Sequence, residues 1–274
     1  MPMNNRILRP LARPLLLDAV PGAAAAYSLR QLSNAYTGPV VTVRRSSDNA
    51  EADFTASEID DGTLAAFCGA GDGFVKTWHD QSGNGRDASQ ATSADQPKAV
   101  LSGSLVLSGG KPAVLFAEAN DFSTIRLQTA AFSPALPHPF AVFIAADRRL
   151  NDDRQAMFDG RTNVAALGLE TNTGQFVISA GTNLLYGPKE VGLILHTGIF
   201  SSSTSSAYIN GALGNSGDIG SNALDGITLG NLHGVPSVIA NAYGLIGTIS
   251  EVVVYPSDQS ANRQRIEGDL AWYY

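Results

Sequence analysis

Charge is scarce in this sequence. Asp, Glu, Lys and Arg make up 16% of its 274 residues, against roughly 25% in an average soluble domain. Such a chain lacks the Lys, Glu and Arg that wet the outer faces of long helices, so a helical bundle is excluded. Cysteine is almost missing. Cys68 stands alone, so no intrachain disulfide can form. No Asn-x-Ser/Thr acceptor occurs either, and both absences fit folding in a reducing cytoplasm. No apolar run approaches the ~18–20 residues of a membrane span, so membrane insertion is not expected. The apolar stretch ending in Leu15, Leu16 and Leu17 is cut by Pro10 and Pro14 and closed by Asp18. It falls short of the ~7–15 residues of a secretory apolar segment, and no signal peptide is expected. Positive charge is short as well: 18 Lys and Arg face 25 Asp and Glu, a formal net charge of −7. Nucleic acid and anionic membranes call for the opposite sign, so neither is an expected partner.

Several catalytic and metal signatures are also missing. His79, His138, His196 and His233 are far apart, with no ligand spacing. The stretch Asp80-Gln81-Ser82-Gly83-Asn84-Gly85-Arg86-Asp87 lacks the alternating oxygen ligands and closing Glu of a calcium loop, and reads as a hydrogen-bonded turn. No Gly-x-Ser-x-Gly elbow is present. Gly69-Ala70-Gly71-Asp72-Gly73 is followed by no Lys-Ser/Thr, so it is a loop and not a phosphate cradle. No metal and no cofactor are expected.

Glycine, by contrast, is plentiful at 28 residues. Short apolar or alternating segments bounded by Gly, Asn, Pro or Ser predict strands at 113–116, 140–146, 164–169, 175–179, 193–200, 206–209, 226–229 and 245–255. Asn210-Gly211 between apolar residues predicts a two-residue hairpin turn. Helices are expected at 62–67 and at 259–271, where Ile266, Leu270 and Tyr273 share a face and Asp258 or Ser260 could cap. The pattern predicts an all-β protein, a jelly-roll β-sandwich with a short C-terminal helix. Residues 25–274 are expected to form that single domain. Residues 1–24 mix Arg6, Arg9 and Arg13 with four prolines and no acid before Asp18, and predict an extended N-terminal docking arm.

Two stretches carry a resemblance. Ala26-Tyr27-Ser28-Leu29-Arg30, Tyr36-Thr37-Gly38-Pro39, Val43 to Asp48, Ala66-Phe67-Cys68 and Trp78-His79-Asp80-Gln81-Ser82-Gly83-Asn84-Gly85 resemble, in order and spacing, the opening of the α-L-arabinofuranosidase B catalytic domain. That family has a concanavalin A-like jelly roll. The second stretch, 207–211 with Leu245 to Tyr255 and the closing helix, is similar to laminin-G-like lectin modules of phage tail and virion proteins.

The first resemblance implies a retaining pair of carboxylates, which must stand about 5–5.5 Å apart across the glycosidic bond. Gly168-Leu169-Glu170-Thr171-Asn172 matches the nucleophile block, with Glu170 as nucleophile and Gly168 where the family has Asp. The acid block corresponds to Leu229-Gly230-Asn231-Leu232-His233-Gly234 and holds no carboxylate. The family's paired cysteines under the sugar fall near Ala156-Met157, ahead of Phe158-Asp159, and are absent. A general acid contributes about 10²–10⁴-fold. His233 could in principle give a proton, since histidine titrates near neutrality, but the expectation is that hydrolysis is lost or weak. Trp78 is a candidate sugar platform, although a core strand position, with Asp80 and Gln81 tying the turn, is the preferred reading.

Together these features predict a phage virion structural protein, such as a tail-fibre, head-fibre or decoration component. Its expected location is the virion, assembled in the host cytoplasm. Other virion proteins would bind the arm, and a homotrimer is the form that this resemblance implies. The lectin-like domain would bind cell-surface glycan through Asp159, Glu170, Asn231, His233 and Trp78. The alternative is a retaining, α-L-arabinofuranosidase-like glycoside hydrolase that uses Glu170.

Overall fold

Three nine-residue strands form the spine: Phe140–Arg148, Gly192–Phe200 and Gly247–Tyr255. Phe140–Arg148 lies between the other two, antiparallel to both, with Phe143 opposite Thr197 on one side and Val253 on the other. The computed structural model describes residues 13–118, 124–149, 155–170, 174–188, 190–233 and 243–274, with the backbone alone at Glu170.

The spine strands are apolar on both faces because both faces are covered. Val142, Ile144, Val252, Val254 and Ile194 enter the main core. Their neighbours Ala141, Phe143, Ala145, Val253, Tyr255 and Leu195 pack with Ile266 and Leu270 of the C-terminal helix Arg263–Tyr273. Side chains alternate along a strand, so a helix-covered sheet needs two apolar sets and reads as an unbroken apolar run. Ala25–Ser28 extends the sheet beside Gly247–Tyr255. Ser205–Ile209 and Ala212–Gly217 extend it on the far side. The hairpin between these two turns at Asn210 and Gly211, with φ of 49° and 81°. Positive φ at both central residues is what the Asn-Gly pair supplies.

A second antiparallel path lies across the main core. It runs from Glu51–Phe54 through Val41–Arg45, Gly73–Trp78, Ala88–Ser89 and Leu127–Thr129 to Thr228–Leu229. It continues through Phe158–Asp159, Ala166–Glu170 and Gln175–Ser179 to Asn183–Pro188. Lys98–Leu101 pairs with both Gly73–Trp78 and Val114–Ala117 and so joins the two layers. The fold is therefore mostly antiparallel β, with a C-terminal helix on one outer face.

The glycine-rich turn after Trp78 acts as an internal clamp. Asp80 accepts hydrogen bonds from the backbone N–H groups of Ala26, Ser82 and Arg86. The Gln81 amide accepts from Leu32 N–H and donates to the carbonyls of Ser28 and Arg30. Both side chains are buried. Buried backbone groups must find partners, and here two side chains satisfy a strand and the loop that follows it.

Three expectations change. Leu16 and Leu17 form a helical turn, Leu16–Ala19, and are buried with Val20 and Ala23 against the C-terminal helix. The leucines that suggested an arm are thus core residues of the domain. Arg13 sits 5.4 Å from the Trp272 ring and 3.5 Å from Asp269, while Arg6 and Arg9 lie outside the described residues. The C-terminal helix starts at Arg263 after Asn262, with no side-chain cap, and Asp258 instead accepts from Ser260 N–H. The strand expected at 226–229 is shorter, Thr228–Leu229.

Candidate functional site

The site is set by Phe158–Asp159, which pairs with Ala166–Glu170 on one side and Thr228–Leu229 on the other. The registers are Phe158 opposite Leu167 and opposite Leu229. Two blocks some sixty residues apart in sequence, 168–170 and 229–233, thereby flank one short strand.

Asp159 is fully buried. Its Oδ1 accepts from Gly160 N–H at 2.8 Å and Ala165 N–H at 3.0 Å. Its Oδ2 accepts from His233 twice, from the backbone N–H at 3.2 Å and from ring Nδ1 at 2.5 Å. A carboxylate so surrounded is an acceptor on every side. The hydrogen bond to Asp159 raises the His233 pKa above its usual 6.5; partial burial works against it, and the charges of Asp159 and Asp225 add to the rise. The Nδ1 bond directs the other ring nitrogen, Nε2, away from the carboxylate.

Asn231 is buried, and its Oδ1 accepts from Leu232 N–H at 2.9 Å. Gly230 N–H bonds the Met157 carbonyl at 3.0 Å. Met157 is buried between the two blocks, near the position where the resembled family has cysteines. Gly168 lies against it with φ of +71°, and a Cβ there would stand 2.7 Å from Met157 Sδ. The strand is irregular at this point: Leu167 pairs with Ile178, but Leu169 pairs with Val177. Gly168 absorbs the extra residue, as glycine does in a bulge. Leu167 faces the main core, while Leu169 joins Ala166, Val177 and Ala156 on the outer face. An unbroken strand would have placed Leu167 and Leu169 on one face.

The bulge is fixed from below. Gly168 N–H donates to Tyr186 Oη at 3.1 Å, and that oxygen lies 2.9 Å from His196 Nδ1. Burial, with the Arg148 charge adding to it, pushes the His196 pKa down to about 3, so the ring is neutral at ordinary pH. Tyr186 was not singled out in the sequence, and His196 only as a histidine without ligand spacing, because nothing in their spacing links them to position 168.

The structure thus brings together Asp159, Asn231 and His233, and places Glu170 on the adjoining strand opposite Phe176; the Glu170 side chain lies outside the described residues. It does not bring Trp78 there. Trp78 is fully buried in the main core, 6.0 Å from the Tyr27 ring, so it has no face to offer a sugar. Among the described residues no group of three or more His, Cys, Asp and Glu could hold a metal ion.

Residues 17–114 match the family model for the α-L-arabinofuranosidase B catalytic domain. The fold as a whole is similar to solved arabinofuranosidases. One is a mutant GH54 α-L-arabinofuranosidase soaked with 4-nitrophenyl α-L-arabinofuranoside, with a TM-score of 0.65 and 15% identity over 93% of this chain. A second is a GH54 enzyme soaked with a cyclic sulfate inhibitor, at a TM-score of 0.63 and 16% identity. A third is an arabinofuranosidase complexed with arabinofuranosyl-α-1,2-xylobiose, at a TM-score of 0.61 and 16% identity. This chain covers 93% of its own length in each of these matches and 64% of the length of each solved chain. No curated protein matches the chain.

These findings overturn the virion reading. The family model and these three solved structures are arabinofuranosidases, and none of them points to a tail fibre, head fibre or decoration protein. The likeness of 207–211 and 245–255 to lectin modules finds no support in these matches.

Proposed function

We propose that the protein is a glycoside hydrolase of the α-L-arabinofuranosidase type, with Glu170 as its nucleophile. The jelly-roll sandwich of that family is the proposed fold in detail. One observation carries the reading. The strand that ends at Glu170 and the strand Thr228–Leu229, which leads into the block 229–233, flank the strand of Asp159; the resemblance assigns these two blocks to the two halves of the chemistry. Furanoside cleavage by retention needs a carboxylate to attack the anomeric carbon and a second group to protonate the leaving oxygen, both held on a rigid frame. Strands buried on both sides supply such a frame. The bulge at Gly168, fixed by Tyr186, sets the exit of the strand that bears Glu170.

The test is release of 4-nitrophenol from 4-nitrophenyl α-L-arabinofuranoside. The protein should turn it over, and Glu170→Gln should reduce kcat/KM by at least 10³-fold, the scale on which loss of a covalent nucleophile acts. A protein without turnover on this and related furanosides would refute the proposal.

A further inference from the structure

The acid block holds no carboxylate, yet the fold lays a buried carboxylate from another strand against its histidine. We propose that His233, oriented by Asp159, is the proton donor and acceptor of the reaction. This inference rests on the hydrolase reading above and names the group that reading leaves open.

Three features of geometry support it. His233 is tied at two points, its backbone N–H and its Nδ1, to one oxygen of Asp159. The ring therefore has a fixed tautomer when neutral, with the proton on Nδ1 and a lone pair on Nε2, and a fixed direction for Nε2. The second oxygen of Asp159 is held by Gly160 and Ala165 N–H groups, so the carboxylate cannot swing away from the ring. His233 itself is only partly buried, at 16% side-chain exposure, against 1% for Asp159. An inner carboxylate that orients an outer imidazole is the arrangement by which serine hydrolases hold their general base. Among the described residues, the charged groups whose fields reach the ring are Asp159 and Asp225, both acidic. Asp225 is itself occupied by the backbone N–H groups of Arg161 and Thr162 and by the Thr162 hydroxyl.

The steps balance. In the first, the Glu170 carboxylate bonds to the anomeric carbon as the glycosidic C–O bond breaks. The bond's electron pair passes to the leaving oxygen, which takes the proton from His233 Nε2. In the second, water attacks the anomeric carbon of the glycosyl ester. Nε2 takes the proton from that water, and Glu170 leaves as carboxylate. Asp159 keeps its hydrogen bonds to His233 throughout. Its role is to position the ring and to favour the imidazolium.

The experiment compares the wild type, His233→Gln and Asp159→Asn on two substrates, 4-nitrophenyl and methyl α-L-arabinofuranoside. Proton donation matters most for the poor leaving group. His233→Gln should lose about 10²–10⁴-fold in kcat/KM on the methyl furanoside and less than tenfold on the glycosylation of the nitrophenyl substrate. Asp159→Asn should move the basic limb of the pH–rate profile toward acid, because the group that raises the His233 pKa is gone. NMR titration of His233 in the same variant should report the same shift, which shows that the ring is still in place. Equal losses on both substrates, or a basic limb unmoved in Asp159→Asn, would overturn the donor assignment while leaving Glu170 turnover intact. Absence of wild-type turnover on both substrates would refute the hydrolase reading and the donor with it.

Discussion

Acid should unfold this protein through His196. The ring is fully buried, packed edge-on against Phe176 at 4.6 Å, with Nδ1 bonded to Tyr186 and Nε2 without a hydrogen-bond partner among the described residues. A second ring proton would bring a charge into that apolar site. Burial first, then the Arg148 charge, pushes the pKa from 6.5 to about 3. The folded pKa lies below the unfolded one, so this contribution is fully present above pH 6.5 and is lost as pH falls toward 3. Each unit is worth about 1.4 kcal/mol, so the loss reaches roughly 3 kcal/mol by pH 4. That is a large share of the ~5–15 kcal/mol of a typical domain. The assay is urea unfolding from pH 7 to pH 4, wild type beside His196→Asn. The wild type should lose roughly 3 kcal/mol more than the variant over that range. Parallel stability curves would refute the argument. The consequence extends to the site, since His196 supports the tyrosine that holds the Gly168 bulge.

Three further outcomes follow from the packing. Gly168→Ala should destabilise by roughly 2–4 kcal/mol, from positive φ and the contact with Met157, and should depress kcat more than it raises KM; thermal unfolding and steady-state kinetics check both. Arg30→Met should cost about 3–5 kcal/mol, because Arg30 lies 2.8 Å from Glu251 and 2.5 Å from Asp269, both buried; urea unfolding at pH 7 measures it. Deletion of residues 1–20 should leave the domain unfolded by circular dichroism. It removes Leu16, Leu17 and Val20 from the core, and each buried side chain is worth about 1.5–3 kcal/mol.

Elements with a strong local signal were legible in the sequence. The strand at 175–179 and the Asn210-Gly211 turn are where apolar pattern and turn chemistry place them, because both depend on adjacent residues. The spine strands and the C-terminal helix were visible as apolar patterns, but the N-terminal turn Leu16–Ala19, which joins that helix on the outer face of the spine, was not. Leu15 to Leu17 look the same in sequence whether they dock on another chain or on their own. Strands such as Val41–Arg45 and Asn183–Pro188 carry charges, prolines or glycines and are held by pairing more than by pattern. At the site, Asp159 and His233 could each be singled out, yet their pairing spans 74 residues and becomes visible only through the strand order. Trp78 shows the converse. An aromatic beside His and Asp suggests a platform, and burial decides against it.

Covalent trapping tests the central claim most directly. Incubation with an arabinofuranose-configured cyclic sulfate, followed by proteolysis and mass spectrometry, should place one sugar adduct on the peptide containing Glu170 and none in Glu170→Gln. An adduct on another carboxylate, or an unlabelled wild-type protein, would contradict the account.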